Sequence, residues 1–331
     1  MIRSFAFTTS GKLDSKDLET ALMPTLLADT NLFLWVDLEK ATPEETKIVL
    51  EQIFHFHPLS IEDCVTPSPL PKVEEYSPKE GDLFTSPYLF MVIHAVDYSR
   101  KDGRFGTSEL NFFLGKNFLV TYHDLPLRSV ATVEERALQA NIAKAPDRVA
   151  YSLLDALVDN YKPAMDDLGV EIAEMEQLVL QRPDKEVLNK ILQIKKEVLH
   201  LRKIIGPQRE VLSRFARGEF KLVRPHIVPY FRDVYDGLFQ ISELAQTYAD
   251  SLTGILQVYL NMSSNQTGEV VKLLTLITVI TTPLMMIGTW YGMNFHDMPE
   301  LEYKHAYPIA GVATAASTLA TYLYFKRKKW F

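Results

Sequence analysis

Two long runs without a charged residue stand near the C-terminal end of this 331-residue chain. Residues 273–291 and 306–325 contain no Asp, Glu, Lys or Arg. A helix needs roughly 20 apolar residues, at about 1.5 Å each, to cross the hydrocarbon core of a bilayer. The sequence therefore predicts two membrane-spanning helices, and any fold for this chain has to place both of them.

Charged residues around the two runs predict their direction across a membrane. A basic cluster follows the second run directly: Lys326, Arg327, Lys328 and Lys329. The segment between the runs is acidic and includes Glu300 and Glu302, and no apolar stretch near the N-terminus indicates a signal peptide. The positive-inside rule then predicts a multi-pass protein of the inner (plasma) membrane with both termini cytoplasmic and the short loop external.

The remainder of the chain has the composition of a soluble, acidic domain. The formal net charge is −7, from 35 Lys and Arg against 42 Asp and Glu, and few of these charges lie after residue 269. Apolar residues make up 47% of the sequence, which excludes a disordered chain. The single cysteine excludes a disulfide framework and a zinc site built from cysteines.

The first 125 residues predict a mixed α/β domain. Segments rich in β-branched and aromatic residues give strand candidates at 4–8, 32–37, 89–98, 109–113 and 118–122. Thr42, followed by Pro43 and Glu45, forms the pattern of a capping box, which predicts a helix that ends near Phe54.

Residues 126–228 predict helices, including an antiparallel hairpin broken at Pro183, with its second helix ending near Ile205. Residues 229–291 predict one continuous stalk helix, about 90 Å long, that enters the first span. Apolar residues three and four apart form a seam along it: Leu238, Ile241, Ala245, Tyr248, Leu252, Ile255, Tyr259 and Met262. Either the chain's own hairpin or other copies of the chain cover this seam.

One face of the first span is more polar than the others. This polar stripe consists of residues three or four apart: Val271, Leu274, Thr278, Thr282, Met285 and Thr289. Threonine is also common at plain helix interfaces, where its hydroxyl bonds the carbonyl four residues back. If the stripe conducts ions, several copies must surround an axis, because two helices cannot enclose a pore.

The polar stripe leads to Gly292-Met293-Asn294, followed by Met298-Pro299-Glu300-Leu301 and one more apolar run with a basic tail. With this arrangement the chain resembles the CorA family of magnesium channels. Further matching segments lie in the soluble part, at 57–63, 155–159 and 228–236. The resemblance covers essentially the whole chain.

The resemblance implies a funnel-shaped homopentamer, each subunit having an α/β cytosolic domain, a long helical hairpin, a stalk helix and two transmembrane helices. It implies entry of hydrated Mg²⁺, with Co²⁺ or Ni²⁺ as further ions, through a filter of Gly292, Met293 and Asn294, whose neutral oxygens suit a hydrated ion. It also implies that Asp63 and Asp233 bind regulatory Mg²⁺ between neighbouring subunits.

The same resemblance shows two departures near the inner mouth. Gly268 and Gln257 stand where relatives carry a polar Asn and an acidic residue. This difference implies fewer polar ligands for an ion inside the pore.

These inferences divide the chain into an α/β domain (1–125), a hairpin region (126–228), stalk and first span (229–291), external filter loop (292–305), second span (306–325) and basic tail (326–331). The expected partners are further copies of the chain, the lipid bilayer and divalent cations, without nucleic acid.

No phosphate-binding or nucleophile motif indicates an enzyme, and His55, His57 and His123 are expected in structural roles. Two alternatives to magnesium transport stay open. One is a Zn²⁺ transporter of the same fold, with or without proton coupling, suggested by His296 and His305 in the loop. The other is a membrane-anchored scaffold without transport.

Overall fold

The computed structural model describes residues 1–68, 70–79, 84, 86–96, 107–139, 143–294 and 298–328, without the side chains of Glu300 and Leu301. His296 and Lys329 therefore lie outside the described residues, as does the side chain of Glu300. The chain divides into two compact units, Met1–Gln177 with Glu186–Ile255, and Leu178–Lys185 with Leu256–Phe331.

A seven-stranded mixed sheet forms the centre of the first unit. Its strands are β1 (Ile2–Thr8), β2 (Leu13–Lys16), β3 (Leu32–Glu39), β4 (Lys72–Tyr76), β5 (Tyr88–Val96), β6 (Thr107–Gly115) and β7 (Phe118–His123). The strand order is β2-β1-β3-β7-β6-β5-β4. Only β3 and β7 are parallel neighbours among these strands. All five predicted strands are present with slightly shifted ends, and β2 and β4 are additional.

Three short helices cover one face of the sheet: α1 (Met23–Ala28), α2 (Pro43–Thr46, continuing as a π-helix over Lys47–Ile53) and α3 (Pro58–Val65). The predicted capping box is confirmed, since Thr42 Oγ1 accepts from the Glu45 amide at 3.2 Å and Glu45 Oε2 accepts from the Thr42 amide at 2.9 Å. Val36, Phe56 and Cys64 belong to the buried apolar cluster between these helices and the sheet.

Helices α4 (Arg128–Gln139) and α5 (Pro146–Asp159) form a layer on the other face. Successive side chains of a strand point to opposite faces, so odd-numbered residues of β3 face this layer while Val36 faces the first one. Val133 and Leu153 are fully buried. The sheet is therefore covered on both sides, which explains why β5 and β7 are buried throughout.

Two longer helices, α6 (Tyr161–Gln181) and α7 (Lys185–Ala216), form the predicted hairpin. The expected end of α7 near Ile205 is wrong, because the helix continues through Pro207. Val211, Leu212 and Phe215 beyond this proline are buried, and their packing outweighs the hydrogen bond that proline cannot donate. Gly218, with a φ of +69°, stands in the left-handed conformation just after the helix.

The predicted stalk is confirmed as one continuous helix, α8 (Val228–Tyr291). In the first unit its seam packs on the chain's own helices. Gly169 of α6 leaves room for the hydroxyl of Tyr248, which would lie 2.5 Å from a Cβ at that position. Lys195 Nζ of α7 donates to Thr253 Oγ1 of α8 at 3.1 Å. Of the two interpretations of the seam, cover by the hairpin holds for this part of the helix.

Among the described residues, α8 is the one helix with the length and apolar composition to cross a membrane. The second predicted span forms a helix, α9 (Ala306–Arg327), whose many alanine, threonine and tyrosine residues make it less apolar. Its crossing of the bilayer stays a prediction.

Candidate functional site

The polar stripe lies on a face of α8 that none of the described residues covers. Val271, Leu274 and Met285 are 56%, 64% and 66% exposed, and the three threonines of the stripe are exposed as well. A different face of the same segment is packed, with Leu276 only 5% exposed and Val279, Pro283 and Ile287 half-buried. At about 100° of rotation per residue, the stripe is opposite to this packed face.

The stripe's threonine hydroxyls are tied to their own helix. Thr278 Oγ1 donates to the Leu274 carbonyl at 2.9 Å, and Thr282 Oγ1 donates to the Thr278 carbonyl at 2.7 Å. Thr289 Oγ1 makes the same contact with the Met285 carbonyl. Each hydroxyl hydrogen is thus used inside the helix, while the oxygen keeps acceptor capacity towards the exposed side.

The filter motif begins where the helix ends. The Gly292 amide donates to the Gly288 carbonyl at 3.0 Å, and Met293 and Asn294 follow without helical structure. All three residues are exposed. The amides of Gly292 and Met293 still donate to carbonyls of α8, and the chain leaves the helix within the motif.

The flanking charged residues lie on the surface of their elements. Glu302 ends a short 3₁₀ turn, Pro299–Glu302, and is exposed. Lys326, Arg327 and Lys328 are exposed at the end of α9, where cations suit the negative end of the helix dipole.

The two predicted regulatory carboxylates have different surroundings within one chain. Asp63 of α3 accepts a hydrogen bond from Lys72 Nζ of β4 at 2.5 Å. Asp233 is exposed near the start of α8, and its charge acts on Asp155 of α5. Among the described residues, no hydrogen bond or ion pair joins Asp63 to Asp233, so one chain does not assemble this pair.

Asp155 is a residue that the sequence patterns do not single out as a ligand. Burial raises the pKa of its carboxyl, and the neighbouring charges of Asp159 and Asp233 raise it further. The carboxylates of Asp155, Asp159 and Asp233 thus lie within electrostatic range at the start of the stalk, and Asp159 is paired with Lys162 at 2.8 Å. The repeated acidic residues of the 155–159 segment, one helical turn apart, are the signal for this surface.

A second unpredicted feature is a buried charged cluster around Asp37 and His123. His123 Nε2 lies 3.3 Å from Asp37 Oδ1, and Arg3 Nη2 lies 2.7 Å from Asp37 Oδ2. His123 is expected in a structural role, and its charged partners here form a cluster that the sequence patterns do not predict. The alternation of Asp37 and Glu39 with apolar residues in β3 is its only sequence signal.

Comparison with known proteins gives one consistent family. Residues 31–327 match the family model described as CorA-like Mg²⁺ transporter protein. The cobalt/magnesium transport protein CorA of Thermotoga maritima is 35% identical over 306 residues, covering 91% of this chain and 84% of that protein. The putative metal ion transporter YfjQ of Bacillus subtilis is 32% identical over 302 residues, and the alignment covers 90% of this chain and 89% of YfjQ.

The fold also resembles a solved full-length structure. The CorA magnesium transporter from Methanocaldococcus jannaschii superposes with a TM-score of 0.82 at 19% identity, over 99% of this chain and 98% of that one. At this identity the likeness establishes the fold, which agrees with the α/β sheet and long helix described above.

Proposed function

Because the chain belongs to the CorA-like Mg²⁺ transporter family, we propose that it assembles as a homopentameric channel that carries hydrated Mg²⁺ into the cytoplasm. The family consists of metal-ion transporters, so the chain is a divalent-cation transport protein of the membrane and not an enzyme. Co²⁺ and Ni²⁺, hydrated ions of similar size, are expected to pass as well. The membrane potential drives entry, at about 4.6 kcal/mol per divalent ion per 100 mV.

The exposed polar stripe of α8 is the observation that carries this proposal. A row of threonines faces away from the packed side of α8 and is not covered by any other element among the described residues. Copies arranged around an axis would bring several stripes together and enclose a path between them. The other exposed faces of α8 and α9 would then meet lipid, and the basic residues at the end of α9 would anchor the chain to anionic headgroups at about 1 kcal/mol each.

The chemistry of the stripe suits a hydrated cation. Water molecules bound to Mg²⁺ point their hydrogens outward, so the lining has to offer acceptors. Each stripe hydroxyl donates its own hydrogen to the helix and leaves its oxygen as the acceptor. Mg²⁺ sheds its water reluctantly, and neutral oxygens hold the hydrated ion without the tight binding that would stop conduction.

At the outer end, Gly292, Met293 and Asn294 are proposed as the selectivity filter. The motif follows the end of α8 and is exposed, which allows amide and carbonyl oxygens from several subunits to form a ring. Below it, the apolar side chains of Val271 and Leu274 are proposed to form the constriction that closes the path by excluding water.

Regulation is proposed to use Mg²⁺ bound by Asp63 of one subunit and Asp233 of its neighbour. Asp233 is exposed and lies within electrostatic range of Asp155 and of Lys162, and we propose that its carboxylate exchanges this surrounding for a divalent cation. Asp63 has to exchange its contact with Lys72 for the ion. Both features indicate a weak site, suited to sensing the millimolar concentrations that carboxylates with retained waters bind.

Ion flux into proteoliposomes tests the transport proposal. Purified full-length protein is expected to admit Mg²⁺ and Co²⁺ with a rate that follows the membrane potential and does not require a pH gradient. Zn²⁺ flux that exceeds Mg²⁺ flux and depends on a pH gradient would instead establish the zinc alternative, and no flux of any of these ions would establish the scaffold.

A matched pair of variants tests the stripe itself. Thr278→Val removes a hydroxyl on the stripe, and Thr314→Val removes one in α9 that makes the same bond, to the Ala310 carbonyl at 2.8 Å. Both lose one internal hydrogen bond of the same kind. Thr278→Val is expected to reduce Mg²⁺ flux more than Thr314→Val, and equal fluxes would remove Thr278 from the ion path.

A further inference from the structure

The buried charged cluster lies between the sheet and α4, on the face opposite to α1–α3. Arg3 from β1 contacts Asp37 and Glu39 of β3 at 2.7 and 2.9 Å. Its other terminal nitrogen, Nη1, lies 3.2 Å from Glu134 Oε2 of α4. The fifth member is His123 of β7, and its side chain and that of Asp37 are 0% and 1% exposed.

Both ring nitrogens of His123 face hydrogen-bond acceptors. Nδ1 lies 2.6 Å from the carbonyl oxygen of Leu125, so Nδ1 has to carry a hydrogen. Nε2 lies 3.3 Å from Asp37 Oδ1, which already accepts from Thr121 Oγ1 at 2.5 Å. Only the doubly protonated imidazolium satisfies both nitrogens, because neutral imidazole would direct a lone pair at the carboxylate.

The charges of the surrounding groups balance only with this form of His123. Lys16 of β2 lies 3.6 Å from Glu134. With protonated His123, three cations (Arg3, Lys16 and His123) meet three anions (Asp37, Glu39 and Glu134). Asp124 is turned to the other face of the sheet, where it accepts a hydrogen bond from Tyr122. Loss of the His123 proton would leave one buried negative charge in excess.

We propose that this cluster is a proton-sensitive lock that holds the loop entering α4 against the sheet while His123 is protonated and weakens when the cytoplasm becomes alkaline. The His123–Leu125 bond fixes the start of that loop, and α4 packs on α5. The lock therefore acts on α5, the helix that carries Asp155. It does not include residues of the proposed ion path.

The direction of the pH effect follows from the pKa of His123. Burial alone would lower this pKa, but the hydrogen bond and charge of Asp37 outweigh burial and raise it above 6.5. The folded chain thus holds the proton more tightly than the unfolded chain. The protonated side chain of His123 contributes fully to stability at pH values below its pKa in the unfolded chain. This contribution is lost as the pH rises through the pKa of His123 in the folded chain.

Asp37 does not titrate in the same range. Burial would raise the pKa of its carboxyl, but hydrogen bonds from His123, Thr121 and Arg3 outweigh burial and lower it. The ionised Asp37 carboxylate therefore stops contributing to the stability of the folded chain only under acid conditions. As the pH rises above the usual histidine range, the lock therefore responds through His123 rather than through Asp37.

A metal ion is the competing ligand for this cluster. Ligand atoms of Asp37, Glu39 and His123 lie within 4.8 Å of one another. Arg3 already donates hydrogen bonds to both carboxylates, and a divalent ion would place two further positive charges beside its guanidinium. We therefore assign the proton rather than a metal to this site.

Thermal unfolding of the full chain in detergent, at pH 7 and pH 9, tests the lock. When the pH is raised from 7 to 9, the Tm of the wild type is expected to fall by about 2–5 °C more than the Tm of His123→Gln, because the glutamine has no proton to lose. His226→Gln removes an exposed histidine and should follow the wild type. Equal pH dependence in the wild type and His123→Gln would overturn the proposal.

A second measurement does not depend on the folding of a variant. Solid-state NMR of ¹⁵N-histidine-labelled protein in lipid, across a pH titration, is expected to show one of the eight histidines keeping both ring nitrogens protonated to a higher pH than the others. Absence of such an imidazolium would overturn the proposal. So would a Tm increase when Zn²⁺ is added to EDTA-treated wild type but not to His123→Gln, since that result would establish a metal site.

Discussion

Asn294 is the residue on which the selectivity proposal depends most directly. It is exposed just after α8, in a segment that has left the helix, and its amide oxygen is a neutral ligand suited to the water shell of Mg²⁺. In an oligomer the same oxygen would appear once per subunit around the axis, so one substitution removes the whole ring.

Asn294→Ala is expected to lower Mg²⁺ flux by about tenfold or more, at about 1.4 kcal/mol of lost ion stabilisation per factor of ten, or to abolish discrimination among divalent ions. Flux assays in proteoliposomes measure both effects. Asn261→Ala, at an exposed position of α8 away from the stripe, is the control, and both variants should keep their oligomeric state. Wild-type flux and selectivity in Asn294→Ala would exclude the filter assignment.

At the scale of single residues the sequence predicted local patterns better than tertiary partners. The capping box at Thr42 needs only neighbours three residues apart, and it forms as predicted. The His123–Asp37 pair joins residues 86 apart, on strands whose parallel register a single sequence does not reveal. Asp63 similarly was assigned to an ion without its partner Lys72, which comes from the unpredicted strand β4.

Helix α8 has two parts with different surroundings. The part in the first unit packs its seam on α6 and α7, with Leu238, Ala245 and Leu252 fully buried. The later part leaves large apolar residues exposed, including Leu273 and Leu274 at 60% and 64%. Such exposure on a soluble helix would favour aggregation, so these residues indicate cover by lipid and by other subunits.

Leu274→Asn is expected to raise basal Mg²⁺ flux at millimolar internal Mg²⁺, because a polar side chain keeps a hydrophobic constriction wet. Leu273→Asn is the matched control, since Leu273 is equally exposed but lies on a different face of the helix. Proteoliposomes loaded with Mg²⁺ measure the leak. An equal leak in both variants, or none in Leu274→Asn, would place the gate elsewhere.

An ion pair with a buried carboxylate, Asp147–Arg224, joins the connection between α7 and α8 to α5. Asp147, in the first turn of α5, accepts from Arg224 Nε at 2.8 Å, from Nη2 at 2.6 Å and from the Arg224 amide at 3.1 Å. The Asp147 side chain is 4% exposed, whereas that of Arg224 is 42% exposed. This pair fixes the loop that sets the start of the stalk helix.

Asp147→Ala is expected to destabilise the chain by about 2 kcal/mol, the usual cost of losing hydrogen bonds to a charged group, with Arg224 free to regain water. Arg182→Ala breaks an ion pair whose arginine is 84% exposed and should cost less than about 1 kcal/mol. Thermal or denaturant unfolding gives the comparison. Similar losses in the two variants would show that the three-bond contact does not stabilise this connection.

Among the elements, those with strong periodicity were predictable and those at edges were not. β2 and β4 are the edge strands of the sheet, and their sequences are rich in charged residues, which edge strands tolerate but strand propensities do not favour. The length of α7 was underestimated because Pro207 usually ends a helix. The helix continues here because the residues after Pro207 are buried, and their burial depends on tertiary contacts that the local sequence does not show.

For the whole molecule, the proposed regulation depends on the acidic residues of the first unit. Residues of the first unit carry most of the chain's 42 acidic side chains. At the start of the stalk, Asp233 adds its charge to those of Asp155 and Asp159. Like charges at this place repel each other unless a cation or an oppositely charged group lies between them.

Mg²⁺ bound at this surface would remove the repulsion and hold neighbouring subunits together. A ligand stabilises the state that it prefers, and several weak sites acting together give a steep response from modest individual affinities. Closure at high internal Mg²⁺ follows, because the bound assembly is the tighter one. Asp233 should matter more than Asp63, since Asp63 already has Lys72 as a partner at 2.5 Å.

Millimolar Mg²⁺ is expected to protect the wild type from protease, and Asp233→Lys is expected to lose this protection, because the new cation repels the ion and pairs with Asp155. Asp63→Lys should lose part of it, and Asp250→Lys, which changes charge elsewhere on α8, should keep it. Limited proteolysis of the full chain across a Mg²⁺ titration gives all three curves. Full protection in Asp233→Lys would remove this residue from the sensor, while protection lost equally in Asp250→Lys would point to net charge rather than to a site.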